Sequence, residues 1–165
     1  MTGVNSSLTH TTDLMKNLIF ATIGIVAILT LGACKKNTVG APGNTGTADV
    51  PFAKEAFESL IRGDSSVENK IDWKTLQSLG MNIGGDYVII KSEADQKGFR
   101  DGFITQFSSS FREGGGKVEN FSNWRVIDSD TNKTIVGVDL SNGLLKITVT
   151  NRDGVKRVSG FEMIK

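Results

Sequence analysis

Cys34 and His10 are the only cysteine and the only histidine in this 165-residue chain, and their positions decide what chemistry is left to the rest. His10 lies in the opening segment MTGVNSSLTHTTDL, and Cys34 closes the apolar run MKNLIFATIGIVAILTLGAC from Met15. If both are spent there, the chain beyond Cys34 has neither an imidazole nor a free thiol. Nucleophilic triads that depend on histidine are then excluded, as are zinc sites built from nitrogen and sulfur. Carboxylates remain. Asp101, Asp139 and Glu162 are the candidates for a general base, a role that requires burial to raise the carboxyl pKa. Asp101 follows Arg100 on the helix face opposite a row of phenylalanines. Asp139 and Glu162 fall at strand positions that ordinarily face water. The expectation is therefore a protein that is not an enzyme, with an enzyme using a buried carboxylate as the last alternative. Asp128-Ser129-Asp130-Thr131-Asn132 has the first ligand spacing of a calcium loop, but its sixth place is Lys133 instead of glycine. A hairpin turn accounts for it, and no metal or cofactor is expected.

The run that ends at Cys34 has its own physical logic. Lys16 supplies a positive charge ahead of Leu18 to Leu31, and the apolar stretch is of signal length, short of the roughly 20 residues that span a bilayer. Gly32 and Ala33 are small enough for a peptidase to thread the backbone, and Leu31 stands three before the cysteine. Leu31-Gly32-Ala33-Cys34 at the end of such a run resembles a bacterial lipoprotein signal peptide with its lipobox. The resemblance implies export, cleavage between Ala33 and Cys34, and acylation of Cys34 as the membrane anchor. Lys35, where an aspartate would signal retention at the inner membrane, implies the outer membrane facing the periplasm in a two-membrane organism. Residues 1–14 then read as an upstream extension, 15–33 as the signal peptide, 34–49 as the lipidated cysteine and a flexible linker, and 50–165 as one folded domain.

Between Lys35 and Asp49 the sequence KKNTVGAPGNTGTAD is small, polar and glycine-rich, which is the composition of a flexible tether. Its spaced glycines lack the strand before and the Gly-Lys-Ser/Thr after that a phosphate loop needs. Arg62-Gly63-Asp64 spells an adhesion tripeptide, but a helix-ending glycine explains it equally. With 19 Lys plus Arg against 18 Asp plus Glu, the net charge of +1 gives no basis for nucleic-acid binding.

Pro51 in a first turn, followed by Phe52, Ala56, Phe57, Leu60 and Ile61, predicts a helix closed by Gly63. Asp72 is read as the cap of a second helix, Trp73 to Leu79, stopped by Gly80, with a turn over Asn82 to Asp86. Tyr87-Val88-Ile89-Ile90 is too short to assign. Phe99, Phe103, Phe107 and Phe111 recur every four residues along a helix from Ala94 to Glu113, capped by Ser92 or Asp95 and ended by Gly114-Gly115-Gly116. A β-meander follows: Lys117 to Ile127, Thr134 to Leu140, Leu144 to Thr150 and Val155 to Ile164. Asn142-Gly143 is a strong hairpin signal, and the broken alternation at Gly160 predicts a bulge.

The class read from this order is α+β, helices packed on a curled four-stranded antiparallel meander. The phenylalanine helix, glycine turn and four strands resemble the NTF2-like or cystatin-like superfamily of cone-shaped domains. Ile71-Asp72-Trp73, Leu79-Gly80 and the phenylalanine helix also resemble periplasmic phospholipid carriers. The cone implies a candidate pocket lined by Trp73, Tyr87, Phe103, Phe107, Trp124 and Phe161. Large aromatics more often fill space than line it. The leading expectation is a non-catalytic interaction or assembly domain with a protein partner, held at the membrane by the lipid on Cys34. The alternative is a carrier of a lipid or small hydrophobic ligand.

Overall fold

The computed structural model describes residues 47–165; the candidate signal run, Ala33, Cys34 and the tether as far as Gly46 lie outside them. Helix α1, Asp49–Arg62, buries Ala53, Ala56, Phe57, Leu60 and Ile61, the three-and-four spacing that lays one face on a core. It stops at Gly63, whose φ of 75° is left-handed. The Gly63 N–H donates to the Leu60 carbonyl at 3.0 Å, and the Asp64 N–H donates to that of Ser59 at 2.9 Å. This double closure favours glycine, and a Cβ there would also stand 2.9 Å from Ser108 Oγ. Asp64 then accepts the Ser66 N–H at 2.9 Å and caps the 3₁₀ turn Ser65–Lys70. Arg62-Gly63-Asp64 is thus a helix stop.

The next segment corrects the expected second helix. Residues 71–79 run beside the last strand of the sheet, β5 (Val155–Ile164), and contribute a two-residue strand β1, Gln77–Ser78, parallel to it. The Asp72 N–H donates to the Val158 carbonyl and the Leu79 N–H to the Phe161 carbonyl, both at 2.8 Å. Only one turn closes between them, Thr75 N–H to the Asp72 carbonyl at 3.1 Å. An isolated seven-residue helix gains little, whereas this path satisfies backbone groups along a sheet edge and buries Ile71, Trp73 and Leu76. Leu79, counted in the expected apolar side, is 51% exposed with a φ of 50°.

The helix in this region comes later. Asn82, expected in a turn, accepts the Gly85 N–H at 3.0 Å and caps α2, Ile83–Val88. Gly84 lets α2 lie against the backbone of Lys74 and Thr75, since a Cβ would stand 2.6 Å from the Lys74 carbonyl oxygen. Helix α3, Glu93–Glu113, begins one residue earlier than expected, and Ser92 Oγ accepts the Asp95 N–H at 3.3 Å as its cap.

After Gly115 the chain makes a 3₁₀ turn, Val118–Asn120, where the first strand was expected to have begun. The strands are β2 (Ser122–Ser129), β3 (Lys133–Leu140), β4 (Gly143–Arg152) and β5, in spatial order β1-β5-β4-β3-β2. The sheet is therefore five-stranded and mixed: the antiparallel meander is present, and β1 adds a parallel edge the sequence did not disclose. Leu145, Ile147 and Val149 of β4 are buried, while Lys146, Thr148 and Thr150 alternate with them on the half-exposed face. In β5, Thr148 pairs with Gly160 and Val149 with Val158, leaving Ser159 as the extra residue of a bulge. The bulge turns both Val158 and Phe161 toward the helices, three positions apart. The core thus lies between one face of the sheet and helices α1 and α3.

Candidate functional site

The six aromatic residues singled out from the sequence come together, and they do so by touching. Trp73 meets Tyr87 with ring centroids 6.1 Å apart and Phe103 at 5.6 Å. Phe103 meets Phe107 at 5.9 Å, and Phe107 meets Phe161 at 5.7 Å. Trp124 joins through a residue the sequence reading left out of the group, Phe57, at 6.2 Å. Phe57 also contacts Phe107, Phe111, Phe121 and Phe161, the nearest being Phe121 at 4.9 Å. These are contact separations for aromatic pairs, so each ring is a wall for the next. Phe57 was legible as core from its helical spacing. Its role as hub was not, because that depends on where β2 and β5 cross α1.

One rim of this aromatic core is polar. Tyr87 Oη accepts a hydrogen bond from Arg100 Nη1 at 2.7 Å and donates to Gln96 Oε1 at 3.1 Å. Gln96 Nε2 donates to the Ile90 carbonyl at 2.8 Å. Arg100 also pairs with Glu68, whose carbonyl accepts Trp73 Nε1–H at 2.9 Å. Burial pulls the Arg100 pKa down, but hydrogen bonds to Glu68 and Tyr87 outweigh it and raise the value above the ordinary one. The network is a latch: it ties the 3₁₀ turn, α2 and α3 together, and each of its cationic and hydroxyl groups is already partnered.

A cavity of about 270 Å³ lies elsewhere, open to solvent and lined by Gln77, Gly80, Thr148, Gly160, Phe161 and Glu162. Of the six aromatics only Phe161 borders it. Its walls offer one carboxylate, Glu162, which is exposed and 3.9 Å from Lys146.

The candidate bases stand apart from one another. Asp101 pairs with Lys97 at 2.5 Å on exposed helix surface, and Asp139 pairs with Arg125 at 2.8 Å on the helix-free face of the sheet. The Arg125 guanidinium and the Asn123 amide hold the Asp139 carboxyl below its usual range. Among the described residues the buried carboxylates are two others, which the sequence reading did not name as bases. Asp49 accepts from Thr134 Oγ1 at 2.6 Å and pairs with Lys156. Asp72 lies 3.5 Å from Arg152. Each fastens an early segment to the hairpin between β4 and β5. Asp130 spends its carboxylate on the Asn132 and Lys133 N–H groups at 2.9 and 2.8 Å, and Asp139, at the twelfth place of the apparent calcium loop, is carried away along β3. No three of His, Cys, Asp and Glu converge on one point among the described residues.

The chain was compared with protein-family models, with curated proteins and with solved structures, and it matches none of them.

Proposed function

We propose that this chain is a cell-envelope lipoprotein, anchored by acylated Cys34, whose α+β domain is an NTF2-like interaction or assembly module. The observation that carries the anchoring is the sequence Leu31-Gly32-Ala33-Cys34 closing a signal-length apolar run, with a glycine-rich tether after it. Among the described residues no helix is long and apolar enough to cross a membrane, which is compatible with attachment through lipid. Lys35 favours the outer membrane, facing the periplasm, if the organism has two. The NTF2-like reading is supported by a long helix laid on one face of a bulged, mixed sheet whose four long strands are antiparallel. The aromatic contacts favour a filled cone and hence a surface role over a ligand carrier.

The experiment is expression of the full chain in a bacterium with mass spectrometry of the purified membrane protein. The expected product begins at Cys34 with acyl chains attached, and Cys34→Ala leaves the precursor uncleaved or the protein unanchored. A Cys34→Ala variant that remained processed and membrane-bound would overturn the anchor. A stoichiometric lipid copurifying with the acylated protein, and lost on Phe103→Trp, would move the domain from interaction module to carrier.

A further inference from the structure

The geometry points to a second, non-covalent membrane contact: the exposed apolar knuckle Val88-Ile89, at the C-terminal end of α2, docks on the bilayer to which Cys34 is anchored. This rests on the lipoprotein reading and deepens it. Val88 is 55% exposed and Ile89 74%, the two largest values among the exposed large hydrophobics of the described residues and the only two of those adjacent in sequence. They are held out by a fixed platform. The Ile90 N–H donates to the Tyr87 carbonyl at 3.2 Å, and the Ile90 carbonyl accepts Gln96 Nε2 at 2.8 Å. Tyr87 itself is buried against Trp73 and joined to Arg100 and Gln96. The backbone that carries the two aliphatic side chains therefore needs no ordering when they leave water, which lowers the cost of binding a small apolar surface.

The tether explains why a bilayer is the partner at hand. The fifteen residues from Lys35 to Asp49 reach at most about 50 Å when extended, and a domain of this length is roughly 35 Å across. Every face of the domain can thus reach the membrane surface, and apolar exposure decides which one rests there. Charge does not decide it. Lys91 beside the knuckle suits a headgroup phosphate, but Asp86 and Glu93 flank it with the opposite sign. The contact is accordingly of the interfacial apolar kind, and it persists at high salt and on uncharged lipid.

The test uses the acylated full-length protein in phosphatidylcholine and phosphatidylethanolamine vesicles, with Ile89→Cys carrying a nitroxide label; acylated Cys34 has no thiol to compete. Accessibility to oxygen and to a water-soluble nickel chelate gives the depth of the label. The expected result is a label at the headgroup–acyl boundary, its nickel accessibility several-fold below that of a label at Asp153→Cys on the β4–β5 hairpin and unchanged in 0.5 M salt (about a twofold shorter screening length than at 0.1 M). Adding Val88→Asp returns the position 89 label to water. A water-like label at 89 with Cys34 acylated overturns this proposal and leaves the anchor standing. A label aqueous on pure lipid but protected in native membranes assigns the knuckle to a protein and also overturns it. An unmodified Cys34 in the same mass spectrum overturns the anchor, and this proposal with it.

Discussion

The two ends of α3 close the same core by different means. Toward its C-terminus Phe111 packs on Phe57 at 6.4 Å and on Phe121 at 5.9 Å, so its ring closes that end against other aromatic rings. Toward its N-terminus Phe99 meets Tyr87 at 5.8 Å, and the ring of Tyr87 carries a hydroxyl that returns to Arg100 and Gln96. The difference follows from what lies outside. At the C-terminal end α1 and β2 cover the rings. At the other end the core stops at the chain carrying the exposed knuckle, and a tyrosine can finish an apolar cluster while meeting polar groups at its tip. The apolar end contributes bulk stability; the polar end fixes where a particular loop stands.

That contrast can be broken most forcefully at Phe57. Phe57→Ala removes the ring that five others touch, and a loss of about 3–5 kcal/mol is expected from the transfer and cavity costs of a buried aromatic. Urea unfolding reads it as a lower midpoint with an unchanged slope. A loss near 1 kcal/mol would mean that the rings close over the gap and that no hub exists. Tyr87→Phe is the milder probe. It keeps the ring and deletes only the oxygen between Arg100 and Gln96, so about 1–2 kcal/mol is expected. If it cost as much as Phe57→Ala, the polar rim would be carrying the core, and the division between the ends would be wrong.

How far the sequence disclosed this arrangement differs along the chain for physical reasons. The phenylalanine helix and three of the hairpin strands were readable because their periodicity runs for several turns or pairs, and Gly63 and the bulge, expected at Gly160 and found one residue earlier at Ser159, because broken patterns mark them. The segment from Asp72 to Ile90 was not. Trp73, Leu76 and Leu79 have helical spacing over only three residues, and what places them is the backbone of Val158 and Phe161, some eighty positions away. Once Gln77 and Ser78 pair with β5, Asn82 to Val88 is free to be the helix. The six candidate aromatics, grouped as a pocket lining, stand as one set of packed rings, since large apolar residues converge wherever a core forms. Phe57 as their hub, the Tyr87 latch and the buried Asp49 and Asp72 depended on long-range juxtaposition, which no local pattern encodes.

The weakest expected effect sharpens the comparison from outside the core. Asp139 is tied to Arg125 and Asn123 on the helix-free face, and those bonds depress its folded-state pKa below the ordinary value of 3.8. The unfolded chain then binds a proton more readily than the folded one. The stability this group contributes is present above the ordinary carboxyl pKa and is lost as pH falls through the lower folded-state value. Because the pair is exposed, solvent screens it and the contribution is small. Asp139→Asn should flatten the acid limb of a urea-midpoint profile below pH 3.8 and leave the neutral midpoint nearly in place, whereas Tyr87→Phe should lower the midpoint at every pH in that range. If Asp139→Asn instead lowered the neutral midpoint as far as Tyr87→Phe does, an exposed ion pair would rank with the hydrogen bonds of a buried hydroxyl, and the stabilising role assigned to the latch could no longer be credited to its burial.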